Sequence, residues 1–357
     1  MNSNESPRIE LIDLLPEEIG GLPAFVDEQP YRARQVFSWI HDAKVRDFDG
    51  MTNLSLAMRT RLKETCSVFR RDPVQIQESV DGSKKLIFLT DEGFSYSAVL
   101  MPGLERNTLC ISSQVGCRMN CAFCMTATLG FKRNLSAAEI VGQIHAAATL
   151  LVPPSRVSNV VFMGMGEPLD NYDNVLRAVR LATHREGLKV APRRTTISTV
   201  GLIDRVAAFV NENTGASIAI SLCATTDEAR NRVVPQGRRF GIDDIVSGLA
   251  GIRLAHGHVF TIEYSLIKGV GDSPADARRL SAMAARFPSK INLIPFNPWP
   301  GCHFERPDDA TIEAFREILE RKHHTVTVRI SRGQDIGAAC GQLTFGASSE
   351  IKNAGGK

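Results

Sequence analysis

Hydrophobic positions along the chain fall into two regimes. Over roughly the first 75 residues they recur at helical spacing. LPAFVDEQPYRARQVFSWIHDA starts a helix after Pro30, and SLAMRTRLKETC forms another. Between about 76 and 101 the pattern shortens to alternating runs in QIQESVDGSKKLIFLTDEGFSYSAVLM. The breaks at DGS and DEG are hairpin signals, so a small antiparallel sheet is expected there.

From about residue 108 short β-rich runs take over: TLCIS, NVVFM (159–163), RTTIST (194–199), ASIAISL (216–222), VFTIEYSL (259–266), INLIPF (291–296) and TVTVRI (325–330). Amphipathic stretches such as SAAEIVGQIHAAATLL and DNVLRAVRLATHRE separate most of them. Buried-looking strands alternating with helices predict an α/β fold with a parallel sheet under helical cover. Six or so such units suit a partial or full (β/α) barrel, with its chemistry at the C-terminal ends of the strands. The chain then divides into a helical accessory region (1–75), an antiparallel β linker (76–105), the barrel with a C-terminal loop (106–345), and a flexible tail, GASSEIKNAGGK (346–357).

Composition narrows the class without choosing a function. At 357 residues, 43% hydrophobic and 23% charged, the chain is ordinary for a soluble globular protein. No apolar run approaches the ~20 residues of a membrane span. The N-terminus, MNSNESPRIELIDLLPEEIG, carries acids where a signal peptide is basic and then apolar, so a cytoplasmic protein is expected, and a monomer. A net charge of +3 is too mild to imply a polyanion partner. The nine Lys/Arg against five Asp/Glu in residues 31–75 fit a solvated helical face as readily as a nucleic-acid patch. Eight cysteines without a signal peptide argue for metal or catalytic use over structural disulfides.

Their spacing carries the chemistry. SSQVGCRMNCAFCMT sets Cys117, Cys121 and Cys124 as CxxxCxxC in a loop after the first strand of the βα series. Three such thiolates can wrap one face of a [4Fe–4S] cluster and leave the fourth iron free to chelate a small molecule and pass it an electron. A structural zinc site needs four protein ligands, commonly as paired CxxC modules, and no second pair follows. A later strand ends in FMGMGEPLDN, where Gly164 and Gly166 admit close backbone approach to a ligand and Glu167 can accept from an ammonium group. Ser198 in TISTVG, Ser221 in SLCA and Asn297 in IPFNP end further strands, each readable as a polar cap or a ligand contact. Cys66, Cys223 and Cys302 read as small apolar fillers. Cys340 differs, because small residues and Gly-Gln-Leu around it in DIGAACGQL make a loop able to reach an active site.

The cysteine motif after a first strand resembles the radical S-adenosylmethionine superfamily. Together, TLCISSQVGC, GFKRNL, GMGEP and AACGQL resemble the RlmN/Cfr family of RNA methyltransferases over roughly residues 20–345. The resemblance implies one [4Fe–4S] cluster on Cys117, Cys121 and Cys124, with Phe123 as the aromatic residue common before the last ligand. It places the methionine moiety of S-adenosylmethionine on the open iron and its amine on the element holding Gly166 and Glu167. It assigns cofactor contacts to Ser198, Ser221, Leu222, Cys223 and Asn297.

The family chemistry implied for this chain uses two cofactor molecules per turnover. Cys340 receives a methyl group from the first by displacement. The second yields a 5′-deoxyadenosyl radical that removes a hydrogen from that S-methyl, and the resulting methylene joins an adenine ring carbon. Cys110 takes the ring proton and resolves the link, leaving a transient Cys110–Cys340 disulfide. An external electron donor and a thiol reductant are therefore implied, and the N-terminal helices and hairpin resemble the family's RNA-binding region.

The implied activity is methylation of carbon 2 of an adenosine in 23S ribosomal RNA, and in transfer RNA as a further substrate. Carbon-8 methylation of the Cfr type, a non-RNA substrate, and a non-catalytic Fe–S protein are the alternatives; the Cys110/Cys340 pair argues against the last. Two positions depart from the family pattern. Ser97 stands where a glutamate precedes the first-strand cysteine by thirteen residues, and Glu92 does not match that spacing. Cys223 stands where the family reads SLHA. These departures leave the base and the substrate open.

Overall fold

A computed structural model describes residues 8–68, 70–153, 155–235 and 239–344; the expected tail at 346–357 lies outside them. The N-terminal unit comprises strand β1 (Ile9–Glu10), helices α1 (Pro16–Gly20), α2 (Tyr31–His41) and α3 (Leu56–Thr65), and strand β2 (Cys66–Ser67), which pairs in parallel with β1. Helix α2 begins directly after Pro30, as the sequence predicts. At the start of α3, Ser55 Oγ accepts from the Met58 N–H at 3.2 Å, satisfying one of the free donors of the first turn.

Strands β3 (Gln75–Glu78), β4 (Lys84–Leu89) and β5 (Ser95–Met101) form an antiparallel meander, followed by β6 (Asn107–Cys110). Two short strands, β7 (Gln114–Val115) and β8 (Arg133–Asn134), pair with each other and close the base of the loop that carries the three motif cysteines. The βα series then runs α4 (Ala137–Thr149), β9 (Val157–Phe162), α5 (Tyr172–Thr183), β10 (Thr195–Thr199), α6 (Ile203–Asn211), β11 (Ser217–Ser221), α7 (Asp227–Val233), α8 (Ile242–Gly251), β12 (Phe260–Leu266), α9 (Pro274–Ala284), β13 (Ser289–Pro295), α10 (Asp309–Glu320) and β14 (Val326–Val328).

One ten-stranded sheet unites them in the order β14-β13-β12-β11-β10-β9-β6-β5-β4-β3. From β6 to β14 the pairings are parallel and follow chain order, and β6 and β14 do not pair with each other, so the barrel is partial. The antiparallel strands are not a separate linking sheet. They continue the barrel sheet through β5 and β6, where Val99 stands opposite Cys110. Burial explains why the pattern conceals this: β5 is buried on both faces except at Met101, so it behaves as an inner strand.

The N-terminal unit docks on α4. Within α2 the Phe37 ring packs at a tilt against His41, centroids 4.4 Å apart, and His41 Nδ1 lies 3.1 Å from His145 Nε2 on α4. Burial pushes both imidazoles well below their usual range, so the contact is one of neutral rings.

Candidate active site

The glycine-rich turn after β9 is moulded first of all by the chain itself. A Cβ on Gly164 would sit 2.7 Å from the Ile111 carbonyl and 2.8 Å from Ser112 Oγ; one on Gly166, at φ +100°, would sit 2.5 Å from Gln114 Cβ. These glycines let the turn lie against the segment following β6. That packing fixes Glu167, whose N–H donates to Gln114 Oε1 at 2.9 Å. The Glu167 carboxylate is buried, accepting from the Val200 N–H at 2.9 Å and the Leu169 N–H at 3.1 Å. Burial nevertheless pushes its pKa up to about 7. A buried carboxylate so placed gains from any cation brought beside it.

A cavity of about 140 Å³ opens at the C-terminal ends of the strands. Cys117, Cys121 and Cys124 line it, as do Gly166, Glu167, Ser198, Ser221, Cys223 and Cys340. Ser198 Oγ and Ser221 Oγ approach to 3.3 Å. Three expected residues do not line it. Leu222 is buried behind the wall, its N–H donating to the Glu263 carbonyl at 3.1 Å. Asn297 sits under the C-terminal loop: its Nδ2 donates to the Cys340 carbonyl at 3.1 Å, and its Oδ1 accepts from Gln334 Nε2 at 3.2 Å. Cys110 lines a second, smaller cavity of about 50 Å³, together with Val99, Met163, Arg329 and, again, Cys340. Cys340 therefore belongs to both cavities.

The motif cysteines suit an iron–sulfur cluster. Burial pushes the Cys117 thiol up to about 12 and raises Cys121 and Cys124 as well, and each thiol is further raised by its neighbours. Three thiolates cannot stand together there without a positively charged body to hold them, and iron supplies one. Among the described residues no three His, Cys, Asp or Glu side chains converge as ligands of a single ion. The three cysteines line one cavity, a placement that leaves each thiolate free to take its own iron of a cluster.

Sequence reasoning misses two charged groups at the site. Glu263 on β12 is buried, lines the larger cavity and accepts from Asn292 Nδ2 at 2.7 Å; burial raises its pKa. Its signal is a lone acid inside the apolar run VFTIEYSL. Arg329, just past β14, donates from Nη1 to Met163 Sδ at 3.3 Å and lines the smaller cavity with the two cysteines. Burial opposes its charge, while Cys340, Cys110 and Glu263 favour it. In return it moderates the Cys110 thiol, which burial and then Cys340 push up to about 12. The basic excess at 31–75 is partly neutralised locally: Arg46, Arg61, Lys63 and Arg71 pair with Asp72, Glu28, Asp49 and Asp91.

Residues 9–68 match the family model described as the ribosomal RNA large subunit methyltransferase N-terminal domain, and residues 111–280 match that of the radical SAM superfamily. A curated dual-specificity RNA methyltransferase RlmN of Geotalea uraniireducens (strain Rf4) is 40% identical over 346 residues, covering 97% of this chain and 99% of its own. The protein of the same name from Geobacter sulfurreducens (strain ATCC 51573 / DSM 12127 / PCA) is 44% identical over 336 residues, covering 93% and 92%. The crystal structure of a radical SAM methyltransferase from Sphaerobacter thermophilus matches with a TM-score of 0.88 at 38% identity, over 94% of this chain and 99% of that one.

Proposed function

The chain belongs to the RlmN family of radical S-adenosylmethionine RNA methyltransferases, and on that footing we propose that it methylates carbon 2 of an adenosine in 23S ribosomal RNA and in transfer RNA. The dual specificity in the relatives' name supports two RNA classes, and the name RlmN supports carbon 2 over carbon 8. The observation that carries the mechanism is the position of Cys340 between two cavities, one walled by the three motif cysteines and the other by Cys110.

Cys117, Cys121 and Cys124 would hold the one [4Fe–4S] cluster, and Glu167 would receive the amine of S-adenosylmethionine. When bound, cluster and cofactor supply a methyl sulfonium and, by reductive cleavage, the power to remove an unactivated hydrogen, with two cofactor molecules consumed per turnover. Cys340 does the carrying. Its thiolate would be the nucleophile that accepts the methyl group, and the S-methyl so formed would give up one hydrogen and join the adenine ring through the remaining methylene. Such a route is needed because carbon 2 of adenine is not a nucleophile. Cys110 would take the ring proton and pass it to the methylene carbon as the bond from that carbon to the Cys340 sulfur breaks, so that the product leaves with its methyl. The two sulfurs join, the one electron left over returns to the donor that supplied it, and an external thiol reduces the disulfide. Arg329 favours Cys110 as a thiolate through its charge. The N-terminal unit would contact RNA, the protein acting as a monomer with an external electron donor. Among the described residues no helix is long and apolar enough to cross a membrane.

The decisive variant is Cys110→Ala. It should still methylate Cys340 and still add to adenine, but it should stall as protein joined to RNA by a thioether that survives denaturation and thiol reductants. A second variant that also lacks Cys340 should give no adduct. Normal turnover by Cys110→Ala without trapped RNA would reduce Cys110 to a packing residue. Mass-spectrometric mapping of the released nucleoside separates 2-methyl from 8-methyladenosine.

A further inference from the structure

The loop that carries Cys340 follows β14, a three-residue strand at the edge of the sheet, and has little regular structure of its own beyond a single 3₁₀ turn at Gln334–Ile336. Gly333 and Gly337 flank that turn at φ +68° and +58°. On its C-terminal side the loop is tied to the cysteine loop and to the end of β13: the Met125 N–H donates to the Gly341 carbonyl at 2.7 Å, and Gln342 Nε2 donates to the Pro298 carbonyl at 2.7 Å. On its N-terminal side it is tied to a segment some 250 residues earlier in the chain, the turn joining β3 to β4.

The contacts there are reciprocal. From the turn, Asp81 Oδ2 accepts from the Gly333 N–H at 2.8 Å while its Oδ1 accepts from the Ser83 N–H at 2.8 Å. From the loop, Asp335 accepts from Ser79 Oγ at 2.6 Å and from the Val80 N–H at 3.1 Å. Arg332 spans further, donating to the Asp81 carbonyl and to the Pro102 carbonyl, each at 2.7 Å. The turn itself is fixed relative to Cys110: β4 pairs with β5 along six residues, and β5 pairs with β6, where Cys110 stands opposite Val99. A path of hydrogen-bonded strands thus runs from Cys110 to Asp81, and two carboxylates close it onto the segment preceding Cys340.

We propose that the β3–β4 turn is a clamp on the Cys340 loop, with Asp81 and Asp335 as reciprocal positioning residues that hold Cys340 within reach of Cys110. The proposal rests on the reading of these two thiols as partners in the reaction. A loop held at both ends stays near the geometry the partner needs, and releasing one end dilutes it over more conformations. Asp335 is exposed, so its replacement leaves the core untouched.

The test uses protein produced without cluster, whose Cys340 is unmethylated, then reconstituted anaerobically so that Cys117, Cys121 and Cys124 are occupied. With oxidised glutathione as oxidant, Cys110 and Cys340 give up two protons and two electrons to form a disulfide while two glutathione thiols are released. The linked peptide is quantified by mass spectrometry. Asp335→Ala and Asp81→Ala should each slow this closure at least tenfold and lower kcat for RNA methylation in parallel, with KM for RNA, iron content and thermal midpoint near wild type. Asp335→Asn, which keeps one acceptor oxygen, should recover part of the rate. Unchanged closure and kcat in Asp335→Ala would overturn the clamp even if Asp81→Ala failed to fold. Closure needs neither RNA nor cofactor. If Cys340 is not the methyl carrier, wild-type protein from cells will lack S-methylcysteine while the clamp's signature persists, so the two failures are distinguishable.

Discussion

Gly116 immediately precedes the first motif cysteine, and replacing it by alanine isolates the geometric demand of the cluster loop. Its φ is +72°, and a Cβ there would lie 1.7 Å from the Gly130 carbonyl oxygen, 2.8 Å from its carbon and 3.3 Å from Phe131 Cα. All three are backbone atoms, so no rotamer change relieves the clash. Moving the oxygen beyond 3.0 Å demands a relative shift of at least 1.3 Å between the two limbs of the loop. Those limbs are braced by the pairing of β7 with β8 and by the Lys132 N–H on the Val115 carbonyl at 2.9 Å. Losing that bond costs about 1 kcal/mol, and placing a Cβ in a left-handed conformation about 1–2 kcal/mol more. Cys117 is carried along, and metal–ligand distances tolerate only about 0.2 Å.

Gly116→Ala should therefore bind less than half the wild-type iron and sulfide after anaerobic reconstitution. Thermal unfolding of the cluster-free protein, compared in parallel, separates a misplaced ligand from a lost fold. Two other glycines serve as controls. Gly130 has φ +61° and ψ 171° but nothing within 4 Å of where a Cβ would stand, so Gly130→Ala should lose about 1–3 kcal/mol and keep its iron. Gly142 lies in α4 facing open space, and Gly142→Ala should raise stability by about 1 kcal/mol. Wild-type iron in Gly116→Ala, with an unchanged melting temperature, would refute the steric reasoning.

Replacing Cys117, Cys121 or Cys124 by alanine should abolish both the cluster and reductive cofactor cleavage, read as iron content and 5′-deoxyadenosine release; full cleavage in any of the three would sink the cluster assignment. Glu167 tests the electrostatics of the cofactor cavity in the cluster-free protein. Its folded pKa of about 7 lies above the ordinary 4.5, so its contribution to stability is fully present below pH 4.5 and is lost as pH rises through 7, by roughly 3 kcal/mol in all. Urea unfolding from pH 5 to 8 should show wild type losing stability relative to Glu167→Gln across that window, and a pH-independent difference between them would contradict it.

Legibility follows periodicity and local chemistry. The seven parallel strands are readable because each is a short apolar run bounded by a turn and a helix, and the cysteine loop because its spacing leaves few alternatives. The union of the antiparallel strands with the barrel is not: SYSAVLM looks half-alternating, and only the β5–β6 pairing shows it to be an inner strand. In the sequence Gly164 and Gly166 read as room for a ligand, and both line the larger cavity, but a Cβ on either would meet Ile111, Ser112 or Gln114, contacts that no local pattern announces. Arg329 in TVTVRI reads as a polar residue at a strand end. It becomes part of the site only because the chain returns over it between residues 330 and 343, placing Cys340 in the same small cavity.

The serine at position 97 is best weighed by charge. Side chains alternate along a strand, so Ser97 shares a face of β5 with Val99, which lines the Cys110 cavity. Ser97 is itself buried, its carbonyl accepting from Ser112 Oγ at 2.6 Å. The resemblance puts a carboxylate at this position, as a base beside the first-strand cysteine. Among the residues lining the two cavities, the carboxylates are Glu167 and Glu263. Glu167 is engaged by the Val200 and Leu169 N–H groups, and Glu263 by Asn292. Serine thus removes a base, but it also removes an anion from beside a thiol that burial and Cys340 already push up to about 12. The Arg329 charge then acts on Cys110 without a neighbouring carboxylate at position 97 to offset it, and the sign of that change favours the thiolate. Under the proposed mechanism, proton removal would then fall to Cys110, with the Arg329 charge favouring its thiolate.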